Sequence, residues 1–233
     1  MNRTARLALF DLDNTLLTGD SEVLWVEFLL ARGALDAALA ARNAELDRRY
    51  HAGQVAPDEF CAFYAATFGG RTPAQWAAWL DAFAQEVVLP RLPLAAHELV
   101  QQHRAAGDRL VLTTASSRPL AQPSADALGL AELIATELAQ HADGRFTGQV
   151  RGVPNMREGK LARLRHWLAT QGLDADAALA RAVFYSDSVN DLPLLLAVGE
   201  PVAVDPDARL AQEAAARRWP VLRLARTDSF PAP

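Results

Sequence analysis

Short apolar runs that end in polar residues recur along the chain. Four of them predict β-strands, at 7–10, 110–114, 183–186 and 202–204. Each run is followed by a polar turn and then by residues with helical periodicity, which is the βα alternation of a parallel sheet. We therefore predict an α/β fold. A weaker strand is predicted at 133–136, and a short hairpin at 143–150, where glycines interrupt an alternating pattern.

Between about residues 18 and 92 the pattern changes to Ala, Leu, Arg and aromatic residues at helical spacing. Gly- and Pro-containing segments divide this stretch into roughly four predicted helices, and Thr72 with Pro73 is a typical helix start. The aromatic residues at helical spacing are predicted to be core rather than a ligand platform. We predict an α-helical cap at 18–92, inserted into an α/β core formed by 1–17 and 93–233.

Composition narrows the range of partners. The chain has 233 residues, about half of them hydrophobic, a mean hydropathy near zero and a formal net charge of −5. This balance shows no basic footprint for nucleic acid or an anionic membrane, and no apolar run reaches the ~20 residues of a membrane span. We therefore expect no nucleic-acid and no membrane partner, and the sequence leaves the oligomeric state open.

Two features predict a cytoplasmic location. The first predicted strand follows only six residues, which leaves no room for a signal peptide, and Cys61 is the only cysteine, so no internal disulfide can form. Cys61, flanked by Phe60 and Phe63, is predicted to be a small core residue. The residues at 226–233 are expected to be poorly tied to the fold.

The cationic side chains are almost all arginine, with 22 arginines against the single lysine, Lys160. A sequence that uses arginine this consistently keeps a lysine where a compact ammonium group cannot be replaced by a planar guanidinium. The alternative is chance retention at one surface position. Lys160 opens a predicted amphipathic helix, from which a cation can neutralise a carboxylate and a phosphate together.

Residues suited to catalysis follow the first two strands. Asp11 and Asp13 come directly after the first strand, where open α/β sheets bind ligands. The alternative is an Asp-rich turn. At the end of the second strand, the Thr114 hydroxyl and the backbone N–H groups of the small residues from Ala115 onward can hold an oxyanion. The alternative there is a cap for the next helix.

Two more carboxylates, Asp187 and Asp191, follow the strand at 183–186 and point to the same edge of the sheet as Asp11 and Asp13. Carboxylates so close together repel one another unless a cation lies among them. Oxygen ligands select a hard ion such as Mg²⁺. The five histidines form no metal-ligand spacing, which disfavours zinc. We therefore expect a Mg²⁺ site.

In order and approximate spacing, these elements resemble the four motifs of the haloacid-dehalogenase-like (HAD) hydrolases. The matching elements are Asp11-Leu12-Asp13-Asn14-Thr15, Thr114-Ala115, Glu158-Gly159-Lys160 and Asp187-Ser188-Val189-Asn190-Asp191. The segments 143–148 and 199–207 and the position of the helical insertion resemble the branch that contains phosphoserine phosphatase (HAD subfamily IB). The resemblance covers nearly the whole chain. One departure is Ser186, where the family usually has glycine, and we expect the small serine to be tolerated.

The resemblance implies a Rossmann-like parallel sheet core with helices on both faces and an inserted α-helical cap. It also implies a Mg²⁺-dependent phosphatase in which Asp11 attacks phosphorus and forms an aspartyl-phosphate. Asp13 would protonate the leaving alkoxide and then deprotonate the attacking water.

The resemblance also implies the binding residues. The phosphate would be held by Thr114, the Ala115 amide and Lys160, and Asn190 is also expected to bind substrate. The Mg²⁺ ligands would be Asp11, the backbone carbonyl of Asp13 and Asp187, with Asp191 and Asn190 in support.

The substrate is expected to be a small phosphorylated metabolite that bears an amino group. In phosphoserine phosphatases an acidic residue near this position contacts the substrate amine, so Asp20 is the candidate here. The alternative is that Asp20 or Ser21 caps the next helix. Arg48, Arg49 and Arg71 are candidates for a substrate carboxylate, against the alternative of a solvated helix face. Phosphoserine and histidinol phosphate, which has no carboxylate, both remain open.

Two other functions remain open at this point. A phosphotransferase would pass the same aspartyl-phosphate to an alcohol. A catalytically silent regulatory or binding module could use the same fold, although every catalytic position is filled.

Overall fold

A six-stranded parallel sheet forms the centre of the protein, as a computed structural model shows for residues 5–226, the part of the chain that the structure describes. The strands are β1 (Leu7–Phe10), β2 (Arg109–Ser117), β3 (Glu132–Thr136), β4 (Leu138–Gln140), β5 (Phe146–Val150), β6 (Val183–Ser186), β7 (Glu200–Val204) and β8 (Val221–Leu222). The order in the main sheet is β3-β2-β1-β6-β7-β8, while β4 and β5 form a separate antiparallel pair.

Helices pack around this sheet. They are α1 (Ser21–Ala31), α2 (Leu39–His51), α3 (Pro57–Ala66), α4 (Pro73–Phe83), α5 (Leu94–Ala105), α6 (Arg118–Ala127), α7 (Glu158–Thr170), α8 (Ala175–Leu179), α9 (Leu192–Leu195) and α10 (Ala208–Arg217). Shorter π- and 3₁₀-helical segments occupy Ala84–Val88, Leu89–Arg91 and Val189–Asp191. The predicted α/β fold with a parallel sheet is confirmed.

The central strand β1 is buried along its whole length and pairs in parallel with β2 on one side and β6 on the other. A strand with covered faces reads as a continuous apolar run, which is why the sequence signal was clear at 7–10. All three strands run in the same direction, so the residues after Phe10, at the end of β2 and after Ser186 meet at one edge of the sheet.

The strand predictions at 7–10 and 183–186 are confirmed as β1 and β6, and those at 133–136 and 202–204 lie within β3 and β7. The predicted end of the second strand at 114 is wrong, because β2 continues to Ser117. Beyond a register irregularity after Thr113, Ser117 pairs with Thr136 of β3, which keeps the backbone extended. The predicted hairpin is β4–β5, but its first strand begins upstream, at Leu138.

Helices α1 to α4 lie between β1 and β2 in the chain. Helix α4 begins as predicted, with Pro73 in its first turn and a capping box between Thr72 and Gln75. The aromatic residues of these helices form a common core in which Trp25 stacks on Phe68 with ring centroids 5.3 Å apart. Trp76 and Phe83 are buried in the same cluster and Trp79 packs against it, so the core role predicted for this aromatic stripe is confirmed.

Two further predictions concern Cys61 and the C-terminus. Cys61 is a buried free thiol, as predicted. The expectation of a loose tail is wrong for Arg226, whose guanidinium donates to Asp205 and to the backbone carbonyls of Asn14 and Thr15. The rest of that tail, 227–233, and the first four residues lie outside the described residues. Within residues 5–226, no helix has the length and apolar character needed to cross a membrane.

Candidate active site

Asp11 occupies the position directly after β1. Its backbone N–H donates to the carbonyl of Tyr185 at 2.9 Å, which ties the end of β1 to β6. Its side chain is buried, with 6% of the residue exposed. Asn14, three residues on, has a positive φ of 55°, a conformation that asparagine tolerates better than most residues. This turn reverses the chain towards α1 and leaves Asp11 and Asp13 at the carboxyl edge of the sheet.

Lys160 lies between two of the carboxylates. Its Nζ is 2.8 Å from Asp11 Oδ1 and 2.7 Å from Asp191 Oδ2, and the residue is 2% exposed. Burial by itself would lower the pKa of this ammonium group, but the charges of Asp11 and Asp191 raise the pKa above its ordinary value. The sole lysine of the chain is therefore a buried cation in contact with the predicted nucleophile, and the surface alternative is wrong.

A glycine positions Lys160. Lys160 is the third residue of α7, so the prediction that it opens this helix is correct to within two residues. A Cβ on the preceding Gly159 would overlap the carbonyl oxygen of Pro154. Only glycine allows the chain to pass this close before the helix carries Lys160 into the sheet edge.

Asp187 and Asp11 meet at a single hydroxyl group. Thr15 Oγ1 lies 3.1 Å from Asp187 Oδ1 and 3.3 Å from Asp11 Oδ2, and it also accepts the Asp187 backbone N–H at 3.0 Å. One hydroxyl has one proton to donate, so it can satisfy only one of the two carboxylate oxygens at a time. The other oxygen is then left without that hydrogen bond.

Lys160 alone does not offset the burial and mutual repulsion of these two carboxyl groups. Burial, opposed by Lys160 but reinforced by Asp191 and Asp13, raises the pKa of Asp11 to about 7. Burial and the neighbouring charges of Asp11 and Asp191 raise the pKa of Asp187 well above its usual range. A further cation among these oxygens would relieve both effects.

The chemistry of the donor set fits Mg²⁺, which prefers oxygen ligands and takes few carboxylates. Within residues 5–226, no group of three or more His, Cys, Asp or Glu side chains is arranged to hold a metal ion. A site at Asp11 and Asp187 would therefore draw its remaining oxygens from the backbone and from water. The carbonyl of Asp13, which the family resemblance implies, is the candidate for the backbone ligand.

Ser186, the departure from the family pattern, contacts Asp191. It is fully buried at the end of β6, and its hydroxyl donates to Asp191 Oδ2 at 2.7 Å while accepting the backbone N–H of Ser188 at 3.2 Å. Asp191 thus receives one hydrogen bond from Ser186 and another from Lys160 on the same oxygen. The serine fits, and its side chain fixes the orientation of the carboxylate that pairs with the lysine.

The carboxylate of Asp13 is turned towards α1 and the end of β2. Its Oδ1 accepts the backbone N–H of Ser21 at 2.7 Å, and its Oδ2 accepts the hydroxyl of Ser116 at 2.5 Å and that of Thr114 at 3.3 Å. The Ser116 hydroxyl in turn accepts from the Ser21 hydroxyl. Sequence reasoning missed Ser116, whose only signal was its position two residues after Thr114 in a strand that continues further than predicted.

Thr114 and Ala115 do not occupy equivalent places. Ala115 lines the cavity between the sheet edge and the helices α1 to α3, whereas the fully buried Thr114 lies behind it and bonds to Asp13 and to the Ser116 backbone N–H. The alternative of a cap for the next helix falls on Ser117, the N-cap residue of α6, whose side chain makes no capping hydrogen bond.

Asn190 lines the cavity and links it to the helical segment. Its Oδ1 accepts Nε of Arg157 at 3.0 Å, and the same guanidinium donates to the carbonyl of Val55, in the loop between α2 and α3. Arg157 has a φ of 52°, a region that costs a residue with a side chain some strain. Sequence analysis gave Arg157 no role, because nothing in its pattern shows which carbonyl it contacts.

Asp20 is the N-cap of α1, since its side chain accepts the backbone N–H groups of Glu22 and Val23, as the alternative reading proposed. It also lines the cavity. The arginines considered for a substrate carboxylate lie elsewhere. Arg48 pairs with Glu45, Arg49 pairs with Glu59, Arg71 packs over Trp76, and none of the three lines the cavity.

Glu22, in the first turn of α1, is a buried carboxyl group without a role in the sequence analysis. Its Oε1 accepts the backbone N–H of Ser117 at 2.7 Å, while Oε2 is buried without a hydrogen-bond partner. Burial is the main cause that raises the pKa of Glu22 to about 7, against an ordinary value of 4.5. This side chain fixes the position where β2 passes into α6.

We expect the Glu22→Gln variant to be more stable than the wild type above neutral pH. Between pH 4.5 and pH 7 the native carboxyl keeps a proton that the unfolded chain has released, so the unfolding free energy falls as the pH rises. A substitution that cannot ionise avoids a cost of roughly 3 kcal/mol at pH 8. Urea unfolding at pH 5 and pH 8 measures the difference, with Glu98→Gln as the exposed control. An equal gain at both pH values would contradict the assignment.

Comparison with known proteins places the chain in a family. A model of the haloacid dehalogenase-like hydrolases matches residues 8–196. A histidinol-phosphatase of Neisseria meningitidis serogroup C (strain 8013) is 39% identical over 217 residues, which cover 93% of this chain and 97% of that protein. The phosphoserine phosphatase SerB1 of Mycobacterium tuberculosis (strain ATCC 25618 / H37Rv) is 34% identical over 227 residues, 94% of this chain and 71% of that protein.

Solved structures with a similar fold also match the chain. The crystal structure of a protein of unknown function from Bordetella pertussis Tohama I has a TM-score of 0.86 and 43% identity, and the match covers 94% of this chain and 99% of the other. The structure of a substrate-bound phosphoserine phosphatase matches with a TM-score of 0.69, over 97% of this chain and 96% of the other chain. At 15% sequence identity, this match supports the fold alone.

The chain belongs to the haloacid dehalogenase-like hydrolase family, as the resemblance predicted. It is an enzyme and a phosphatase, since the relatives that match it over most of its length include a histidinol-phosphatase and a phosphoserine phosphatase.

Proposed function

We propose that the protein is a Mg²⁺-dependent phosphomonoester hydrolase that acts through an aspartyl-phosphate on a small, amino-bearing phosphate ester. The observation that carries the proposal is Lys160, a buried ammonium group held between Asp11 and Asp191 at the carboxyl edge of the sheet. A cation in contact with the nucleophile can also neutralise an incoming phosphoryl group.

The chemistry runs in two displacements. A carboxylate oxygen of Asp11 forms a bond to phosphorus while the ester oxygen leaves and takes a proton from Asp13. Asp13 then takes a proton from water, whose oxygen attacks phosphorus and releases inorganic phosphate and Asp11. The bonds from Ser21 and Ser116 hold Asp13 in place for both transfers. Bound Mg²⁺ would supply charge neutralisation at the phosphoryl oxygens.

The helical segment serves, in this proposal, as the predicted cap at 18–92 over a core of 1–17 and 93–233. The cavity is lined from the core side by the catalytic carboxylates and from the helical side by Asp20, Tyr50 and Phe60. Its volume of about 20 Å³ is little more than a water molecule needs. Substrate binding therefore requires the cap helices to move away from the sheet edge. The single buried cysteine suits a cytoplasmic setting for this enzyme.

The lining of the cavity favours a substrate without a carboxylate. Lys160 is the only cationic side chain among the residues that line it within 5–226, and Asp11 and Asp191 already engage it. The carboxylate of phosphoserine would be buried among like charges without a partner, which is costly. Histidinol phosphate presents an amine and an imidazole instead, and the name of the Neisseria relative supports this choice. We therefore propose histidinol phosphate as the preferred substrate.

A substrate panel tests the proposal. We expect inorganic phosphate release from histidinol phosphate, with kcat/KM roughly tenfold or more above that for phosphoserine, and loss of turnover when EDTA removes Mg²⁺. O-phosphoethanolamine and p-nitrophenyl phosphate complete the panel. Preference for phosphoserine would contradict the substrate assignment. Transfer to added glycerol in place of phosphate release would indicate a phosphotransferase, and no turnover of any ester would indicate a silent module.

A further inference from the structure

Two aromatic side chains form the cap side of the cavity. Tyr50, near the end of α2, and Phe60, in the first part of α3, stack with ring centroids 4.4 Å apart and an interplanar angle of 29°. Tyr64 packs edge-on against Phe60 at 4.8 Å and supports it from behind. Both rings of the pair line the same cavity as Asp11 and Asp187.

This pair differs from the other aromatic contacts of the helical segment. Trp25 and its neighbours Phe68 and Trp76 are enclosed in the core and do not line the cavity. Phe63, on the same helix as Phe60, packs against Tyr64 and beneath the guanidinium of Arg42, also outside the cavity. All of these rings belong to the hydrophobic clusters of the helical segment, but of the rings named here only Tyr50 and Phe60 also line the cavity that holds the catalytic carboxylates.

The titratable groups that face the pair are mostly carboxyl groups. Asp20 stands beside it on the cap side, and the catalytic carboxylates stand across the cavity. Burial, followed by the charges of Asp20, Asp187, Asp191 and Asp11, raises the pKa of Tyr50 well above its ordinary range, so its ring stays neutral. An aromatic face attracts a flat cation, and nearby carboxylates attract the same cation, so the two together bind it more strongly than either one alone.

We propose that Tyr50 and Phe60 form a binding subsite for a flat, protonatable ring on the substrate, namely the imidazole of histidinol phosphate. The subsite rests on the proposed function, since the phosphate must lie at Asp11 for the ring to reach the cap. Asp20 contacts the amine, and the aromatic pair contacts the ring. The aromatic pair thereby makes the enzyme prefer an amino phosphate that carries a ring over one that has an amine but no ring.

Kinetics of Tyr50→Leu and Phe60→Leu on two substrates test this subsite. Histidinol phosphate carries the ring, and O-phosphoethanolamine carries only amine and phosphate. We expect the ratio of kcat/KM for the first substrate over the second to fall about tenfold in each variant, mainly through KM. The matched control Phe63→Leu, on the same helix but outside the cavity, should keep the wild-type ratio. Tyr50→Trp, which retains a ring, should keep it as well.

Two outcomes would overturn the subsite: an unchanged ratio in active Tyr50→Leu and Phe60→Leu, or an equal fall in Phe63→Leu. Binding without turnover separates this proposal from the proposed function. Calorimetric titration with L-histidinol, in buffer that contains inorganic phosphate, should show about tenfold weaker binding to Tyr50→Leu than to wild type. If the wild type hydrolyses no ester in the panel, the proposed function fails, and this titration still decides the subsite. Equal affinity in wild type and variant refutes it.

Discussion

Asp11→Asn is expected to abolish turnover while the protein stays folded. Removal of a nucleophile costs roughly four orders of magnitude or more in kcat, because the residual site can only bind substrate. The fold should persist, since an amide keeps the shape of the carboxyl and relieves repulsion at a group whose pKa burial raises to about 7. The measurements are kcat on histidinol phosphate and thermal unfolding of the purified variant.

A covalent readout separates the nucleophile from a merely charged residue. After a rapid acid quench, intact-mass spectrometry should detect one added phosphoryl group on the wild type and none on Asp11→Asn. Asp81→Asn, at an exposed position on α4, is the matched control and should match the wild type in both measurements. Substantial turnover in Asp11→Asn, or a phosphoryl group on another residue, would rule the assignment out.

The sheet edge could be predicted because its signals are local. A fully buried parallel strand gives an unbroken apolar run, and β1 and β6 were therefore placed to the residue. The polar residues that follow such runs must meet where the strands end. Asp11 and Asp187 were found in this way. Lys160 came from composition, since one lysine among so many arginines needs a reason.

The remaining contacts depend on side chains that are distant in sequence. Glu22 contacts the backbone of Ser117, 95 positions away, and Arg157 contacts the carbonyl of Val55, 102 positions away. No periodicity encodes such partners. The length of β2 was missed for a related reason: Thr114 is a typical strand-end residue, but pairing between Ser117 and Thr136 keeps the strand extended.

The hydroxyl of Thr114 contacts Asp13 and not the cavity. As a motif residue it was assigned to the phosphate, yet its hydroxyl donates to Asp13, and Ser116 and Ala115 are the residues that line the cavity. Thr114 acts on Asp13 in this structure, so its contact with a bound phosphate stays a prediction. The sequence alone cannot distinguish these two directions for one hydroxyl, because a rotation about χ1 separates them.

Lys160→Arg is expected to lose activity although it keeps the charge. The ammonium group lies 2.8 Å from Asp11 Oδ1 and 2.7 Å from Asp191 Oδ2, in a space where the residue is 2% exposed. A planar guanidinium is larger and cannot place one nitrogen between both carboxylates, so the nucleophile shifts. We expect kcat to fall by about 10²–10³-fold. Arg165→Lys, an exchange in the opposite direction at a surface ion pair with Asp176, is the matched control and should leave kcat unchanged.

The Lys160→Met variant removes the positive charge but keeps a side chain of similar length. Removing the cation leaves Asp11 and Asp191 buried without it, which should lower the unfolding free energy by about 3–5 kcal/mol at neutral pH. The sign follows from the lysine pKa, which its partners raise above the ordinary value, so the ammonium group is charged at pH 7 and its contribution to stability is lost only in alkaline solution. Urea unfolding of the metal-free protein should therefore give a larger loss for Lys160→Met than for Lys160→Arg. Wild-type turnover in Lys160→Arg, or equal stability of Lys160→Met and wild type, would show that the lysine neither positions nor neutralises the nucleophile.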